Sequence, residues 1–179
     1  MAHESAIYDF TVDEHAEGKA KTKKLLGRLL VLAVPVVYVI ICFAFFAMLA
    51  ILAVIFIPVI LFFWKWFNRE FRYRLESGTM TFSIIHGGNA KKAKDALKLT
   101  IKDMEIIAPY DDEAKAKIAA EGIHVSHNFT SSLSKGMDIY YGIFEQNGER
   151  QVVYFEATQK ALQVLHYYNH NTLVTKVAR

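Results

Sequence analysis

Apolar residues fill the chain from Leu29 through Trp64 without one charged position, and beyond about residue 68 the pattern breaks into short alternating segments. A single helix over the first block would extend to about 54 Å, against a bilayer core of about 30 Å. Two helices, Leu25–Phe45 and Met48–Asn68, fit that thickness better, with the turn near Phe45 and Phe46 at the far interface. Pro35 and Pro58 fall within these helices and are expected to bend rather than end them. A long tilted span or a re-entrant loop is the competing geometry.

The second part alternates with strand period. Phe71, Tyr73 and Leu75 face one way and Arg72, Arg74 and Glu76 the other. Ser77-Gly78 predicts a tight turn, and Met80, Phe82 and Ile84 resume the alternation until Gly87-Gly88-Asn89. Leu97, Leu99 and Ile101 predict another strand, whose phase slips at Lys102-Asp103 before extended chain from Met104 to Ala108. Asp111 and Asp112 can cap a helix from Glu113 to Glu121. A strand through Ile123, Val125, His127 and Phe129 follows, then a polar loop. Ile139–Glu145 and Arg150–Glu156 form a hairpin about Asn147-Gly148. Thr158 caps a last helix with Ala161, Leu162, Leu165 and Tyr168 on one face, and Asn169 stops it. The aromatic, alternating Ile7–Val12 is open to three readings: an added strand, a partner motif or a disordered tail.

The fold class is therefore α+β: an N-terminal transmembrane hairpin, then an antiparallel β-sandwich or open barrel capped by a C-terminal helix. The expected organisation is an N-terminal segment 1–24, a hairpin 25–67, a domain 68–170 and a tail 171–179.

Charge sets the expected orientation. Lys19, Lys21, Lys23, Lys24 and Arg28 precede the block, and Lys65, Arg69, Arg72 and Arg74 follow it. Basic flanks stay cytoplasmic, so two basic flanks call for an even number of crossings, with N-terminus and domain inside. Trp64, Trp66 and Tyr73 suit an aromatic belt at the headgroups. Acidic residues before the block, and its length, argue against a cleaved signal peptide. The net charge of +3 is too small to call for nucleic acid.

Chemistry is sparse. Cys42 is the only cysteine and can form neither an internal disulfide nor a cysteine-based zinc site. His166 and His170 are four apart but straddle the expected helix end, and His124 and His127 point to opposite faces of a strand, so no metal is expected. Asp103, Glu105 and Glu156 show no pairing, and no nucleophile elbow, phosphate loop or dinucleotide fingerprint occurs. Neither catalytic residues nor a cofactor are expected. Lys91, Lys92 and Lys94, with Arg72 and Arg74, form a candidate lipid-headgroup patch, set against the plainer reading of solvated charges.

Several stretches carry a resemblance. Trp66 with Glu70–Leu75, Gly78–Phe82, Leu99–Ile106, Tyr154–Ala157 and the last helix resemble the pleckstrin-homology-like domains of bacterial membrane proteins. The opening Tyr8-Asp-Phe10, Ile101–Tyr110 and Tyr168-Asn169 make the whole chain similar to a family of two-pass membrane proteins of Gram-positive type, which carries no assigned chemistry. The segment from Asp111 to Glu121 and the following loop are long for such a domain. The resemblance implies a fold and a location but no mechanism. An anchor plus a compact β-rich domain without a catalytic constellation leads to the expectation of a non-catalytic module at the cytoplasmic face, with membrane lipids, a protein partner or a second copy as ligand. An accessory subunit of a transporter or channel and an enzyme with an unrecognised site are the alternatives.

Overall fold

The structure, a computed structural model, describes residues 7–14, 18–45, 54–133 and 138–174. The expected helix turn near Phe46, the first residues of the expected second span and part of the polar loop at 134–137 lie outside them. Two four-stranded sheets face each other across one apolar core. The first has the order β1 (Tyr8–Asp13), β2 (Arg69–Glu76), β3 (Thr79–His86), β4 (Lys94–Thr100), all antiparallel. In β1 the half-buried Tyr8, Phe10 and Val12 alternate with outward Asp9, Thr11 and Asp13, so the N-terminal segment adds a strand. A register shift at Phe82/Ser83 bends the β3–β4 pair.

The second sheet, order β5 (Met104–Pro109), β7 (Ile139–Gln146), β8 (Glu149–Glu156), β6 (Val125–Asn128), is mixed. The expectation of wholly antiparallel pairing is corrected here: β6 runs parallel to β8. Parallel strands need a crossover of a dozen or more residues, usually helical. Helix α3 (Asp112–Ala120) supplies it, carrying the chain from β5 past β7 and β8 to the other edge. The segment that is long for a domain of this kind therefore has a topological task. Asp111 caps α3 by accepting from the Ala114 amide at 2.8 Å.

Phe82 lies at the centre of the core, stacked on Phe129 at 4.8 Å and edge-on to Tyr73 and Phe155. Tyr73 is fully buried and its hydroxyl donates to the Phe129 carbonyl. It therefore has no place in an aromatic belt, because its strand phase points it inward with Phe71 and Leu75. Trp64 is exposed, and the side chain of Trp66 lies outside the described residues. Helix α4 (Gln159–Tyr168) closes the far end, with Ala161 and Leu165 buried and Asn169 donating to the carbonyls of Ile101 and Met104 at 2.8 and 3.2 Å. Residues 172–174, in the stretch read as a tail, hydrogen-bond to Ile107 on the β5 edge.

Between β1 and β2 the chain forms α1 (Gly18–Phe45), which contains Pro35, and α2 (Phe56–Trp66), with Pro58 in its first turn. Residues Lys21–Cys42 are long and apolar enough to cross a membrane, with a mean hydropathy of 2.5 and only 6% of the most apolar stretch buried. So little burial is unlike the core helix of a soluble protein. Tyr38 meets Phe56 with ring centroids at 5.1 Å, and a Cβ at Gly27 would stand 2.9 Å from the Phe67 ring.

Candidate functional site

The end of the first sheet from which the helices emerge gathers several basic residues, Arg69, Lys91, Lys92 and Lys94 among them. Arg69 pairs with His86, the Gly87 amide donates to the Asn68 carbonyl at 3.0 Å, and the Glu14 amide donates to the Arg69 carbonyl at 3.0 Å. The β3–β4 connection therefore turns beside the exit of α2. Gly87 and Gly88 both have positive φ (69° and 71°), the region glycine enters without steric cost. Asn89 then caps a 3₁₀ turn, Ala90–Lys92, by accepting from the Lys91 amide at 3.2 Å. Lys91 and Lys92 are exposed on that turn, and Lys94 opens β4 opposite Ile84. Three of the five predicted headgroup residues thus cluster at the helix-bearing end.

Arg72 and Arg74 do otherwise. They stand on the outer face of β2, along the strand from that end. The Arg72 Nε donates to both Asp9 carboxylate oxygens, at 2.8 and 2.9 Å, and its Nη2 also contacts Oδ2. This hydrogen bond holds the Asp9 carboxyl below its ordinary range and pushes the Arg72 guanidinium up. Arg72 therefore latches β1 to β2. Arg74 lies 3.9 Å from Asp9 and is more exposed.

Both arginines line a polar recess of about 350 Å³ with Glu76, Thr81, Ser83, Ala90, Ala93, Asp95 and Lys98. The ladder explains the set: Arg74, Thr81 and Lys98 form one row across three strands, and Arg72, Ser83 and Asp95 the next. Ser83 donates to Asp95 at 2.7 Å. Sequence reasoning missed Lys98 and Asp9, although both occupy outward positions of strands. Three cations line the recess against the carboxylates of Glu76 and Asp95, and Asp9, outside the lining, pairs with Arg72.

A second recess, of about 310 Å³, lies at the junction of sheet and helices, lined by Asp13, Glu14, Lys24, Arg28, Asn68, Arg69 and Glu70. Lys24 is 3.5 Å from Glu14. The Arg28 Nη2 donates to the Asn68 side-chain oxygen at 2.7 Å, and the guanidinium lies 5.5 Å from the Trp64 ring centre. Lys24 and Arg28 entered the sequence reading only as orientation signals. Their site depends on residues more than forty positions apart, which no local pattern announces.

The other candidates are dispersed. The His127 Nε2 is 2.9 Å from the Gln151 side-chain oxygen, whereas His124, His166 and His170 are exposed. Glu105 binds Arg150 at 2.7 Å, Glu121 joins it at 3.0 Å, and Glu156 accepts from the Ser131 amide at 2.6 Å. Among the described residues no cluster of three or more His, Cys, Asp or Glu could hold a metal ion.

A family model described as a bacterial PH-like domain (DUF6106) matches residues 8–175. The match starts at the first residue of β1 and takes in the helices as well as both sheets. No curated protein and no solved structure matches.

Proposed function

We propose that this chain, which belongs to the bacterial PH-like domain family, is a membrane-anchored, non-catalytic interaction module whose domain stands on the cytoplasmic face. The β1–β2 ladder is the observation that carries the proposal. Six consecutive pairs, Tyr8↔Leu75 through Asp13↔Glu70, join the chain just before the apolar helices to the chain just after them. A single crossing would put those strands on opposite sides of the bilayer and leave β1 without its only partner in the sheet, so an even number of crossings preserves the ladder. The contacts of Gly27 with Phe67 and of Tyr38 with Phe56 run in opposite chain directions, which supports two antiparallel helices. Basic flanks favour the inner side.

In this orientation the Gly87–Lys94 connection faces the headgroups. Lys91, Lys92 and Lys94 then contact anionic lipid, each contributing about 1 kcal/mol near a charged leaflet. The opposite end, closed by α4, and the polar recess around Arg74 and Lys98 face the aqueous side and a protein partner or second copy.

The test uses a Cys42→Ser background with single cysteines at Thr11 and Ser126, both exposed. An impermeant maleimide should label neither in intact cells and both after permeabilisation. Labelling of only one site would refute the even crossing, and labelling of both in intact cells would refute the orientation. Purification in mild detergent should yield a specific complex; a solitary inert monomer would count against the interaction role.

A further inference from the structure

We infer that the junction recess binds the headgroup of an ethanolamine phospholipid, its phosphate at Arg28 and Arg69 and its ammonium at Glu70. The inference rests on the membrane-anchored reading, since only that places the recess at headgroup depth.

Four observations converge. The recess lies where α1, α2 and β2 meet, and Trp64, an interfacial side chain by type, covers the Arg28 guanidinium. Arg28 is held in place: one nitrogen binds Asn68, while its Nε is buried without an acceptor among the described residues. A buried donor left unpaired is costly, so an acceptor oxygen brought to Arg28 by a ligand would relieve that cost. Lys24 and Glu14 pair with each other and largely cancel. Of the remaining charged lining residues, Arg69 and Glu70 make no side-chain ion pair among the described residues, so both signs of charge are available.

That balance selects the ligand. Three cations and three carboxylates line the recess, so it has no surplus charge to attract an anionic glycerol headgroup. A zwitterion supplies a partner for each sign. A primary ammonium donates hydrogen bonds to a carboxylate, whereas the quaternary ammonium of choline has no N–H to donate. The recess should therefore distinguish ethanolamine from choline lipids that carry the same phosphodiester. This preference is separate from the attraction of Lys91, Lys92 and Lys94 for net negative charge.

The test is native mass spectrometry of the full chain in detergent, offered equimolar dioleoyl lipids with ethanolamine, choline or glycerol headgroups. The ethanolamine lipid should be retained about tenfold over each of the others, the effect of one charge-assisted hydrogen bond. Arg28→Gln and Glu70→Gln should each abolish the preference, while Lys91→Gln leaves it intact. Equal retention of the three lipids by the unaltered chain would overturn the assignment whether or not a variant folds. Equal occupancy by glycerophosphoethanolamine, which has no acyl chains, would identify a soluble phosphodiester instead and overturn the lipid. Extraction of the unaltered chain from membranes by carbonate would count against the anchor, whereas unselective binding by a chain that stays membrane-bound counts against the recess alone.

Discussion

Detaching β1 is the most direct challenge to the closed topology, and its cost can be worked from the contacts. Phe10 is half-buried, its ring 4.5 Å from that of Tyr73, while Asp9 on the opposite face holds Arg72. Truncating a fully buried Phe costs about 3–5 kcal/mol, so Phe10→Ala should cost about half, roughly 1.5–2.5 kcal/mol. The Asp9 and Arg72 side chains keep 29% and 24% of their exposure, so solvent screens the pair and Asp9→Asn should remove about 0.5–1 kcal/mol. Because the two side chains point to opposite faces, their effects should nearly add, to about 2–3.5 kcal/mol. At about 1.4 kcal/mol per factor of ten, the amides of β1 should exchange with solvent roughly 30- to 300-fold faster in the double variant. Hydrogen exchange on the full chain in nanodiscs reads this directly, with buried Val152 and Val153 as the control that should not change. If the β1 amides of the unaltered chain exchange like a free peptide, or the double variant is no faster, the strand does not hold the two flanks together.

Further outcomes follow from the same geometry. Gly27→Val should lower the thermal unfolding temperature in detergent, at a cost of about 1–3 kcal/mol from crowding Phe67, and Phe67→Ala in the same chain should restore much of it. Leu165→Ala, which empties a fully buried position under α4, should cost about 2–5 kcal/mol by denaturant unfolding. The Asp9 carboxyl is held below its ordinary 3.8, so its stabilising effect is present above that value and lost as pH falls through the lowered one. The stability gap between the unaltered chain and Asp9→Asn should therefore close in strong acid, as pH titrations of unfolding would read. Charge reversal of Lys91 and Lys92 should weaken protection of the Gly87–Lys94 amides on anionic nanodiscs, and Arg74→Glu should do so far less.

Local signals account for what the sequence reading foresaw. Asn147 and Gly148, with φ of 56° and 77°, turn the β7–β8 hairpin as that dipeptide demands, the side chains of Asp111 and Thr158 cap helix N-termini, and Asn169 ends α4 through its backbone amide. Strand alternation located β2, β3 and the phase slip before β5 for the same reason. Pairing between distant strands has no such local mark. The bond from Arg72 to Asp9 spans sixty-three positions, and the β1 pattern alone was equally compatible with a tail. Nor did Tyr73 reveal whether its aromatic ring belonged to an interface or a core until its strand phase was fixed by its neighbours. The parallel course of β6 follows from the length of α3 together with the edge it must reach, and only the length is visible in the chain.

The separation of the basic residues has a consequence for what the domain can sense. Under the proposed function, two tethers leaving adjacent strands at one end, about 4.8 Å apart, would orient the sheet end-on to the bilayer far more strictly than one flexible tether. Arg74 lies five residues beyond Arg69, about 17 Å along β2 at strand rise. Electrostatic attraction to headgroups decays over about 8 Å at physiological ionic strength. If the helix-bearing end lies at the headgroups, Lys91 and Lys92 would fall within that range and Arg74 and Lys98 beyond it, and the two sets would not act as one patch. Under the proposed function the recess around Arg74 would be open to a polar group from solution, while the lysine turn would lie toward the leaflet. The same recess is lined by Ala90 and Ala93 of the lysine turn, so under the proposed orientation it would run from the leaflet side toward solution, with Arg74 and Lys98 at its far end.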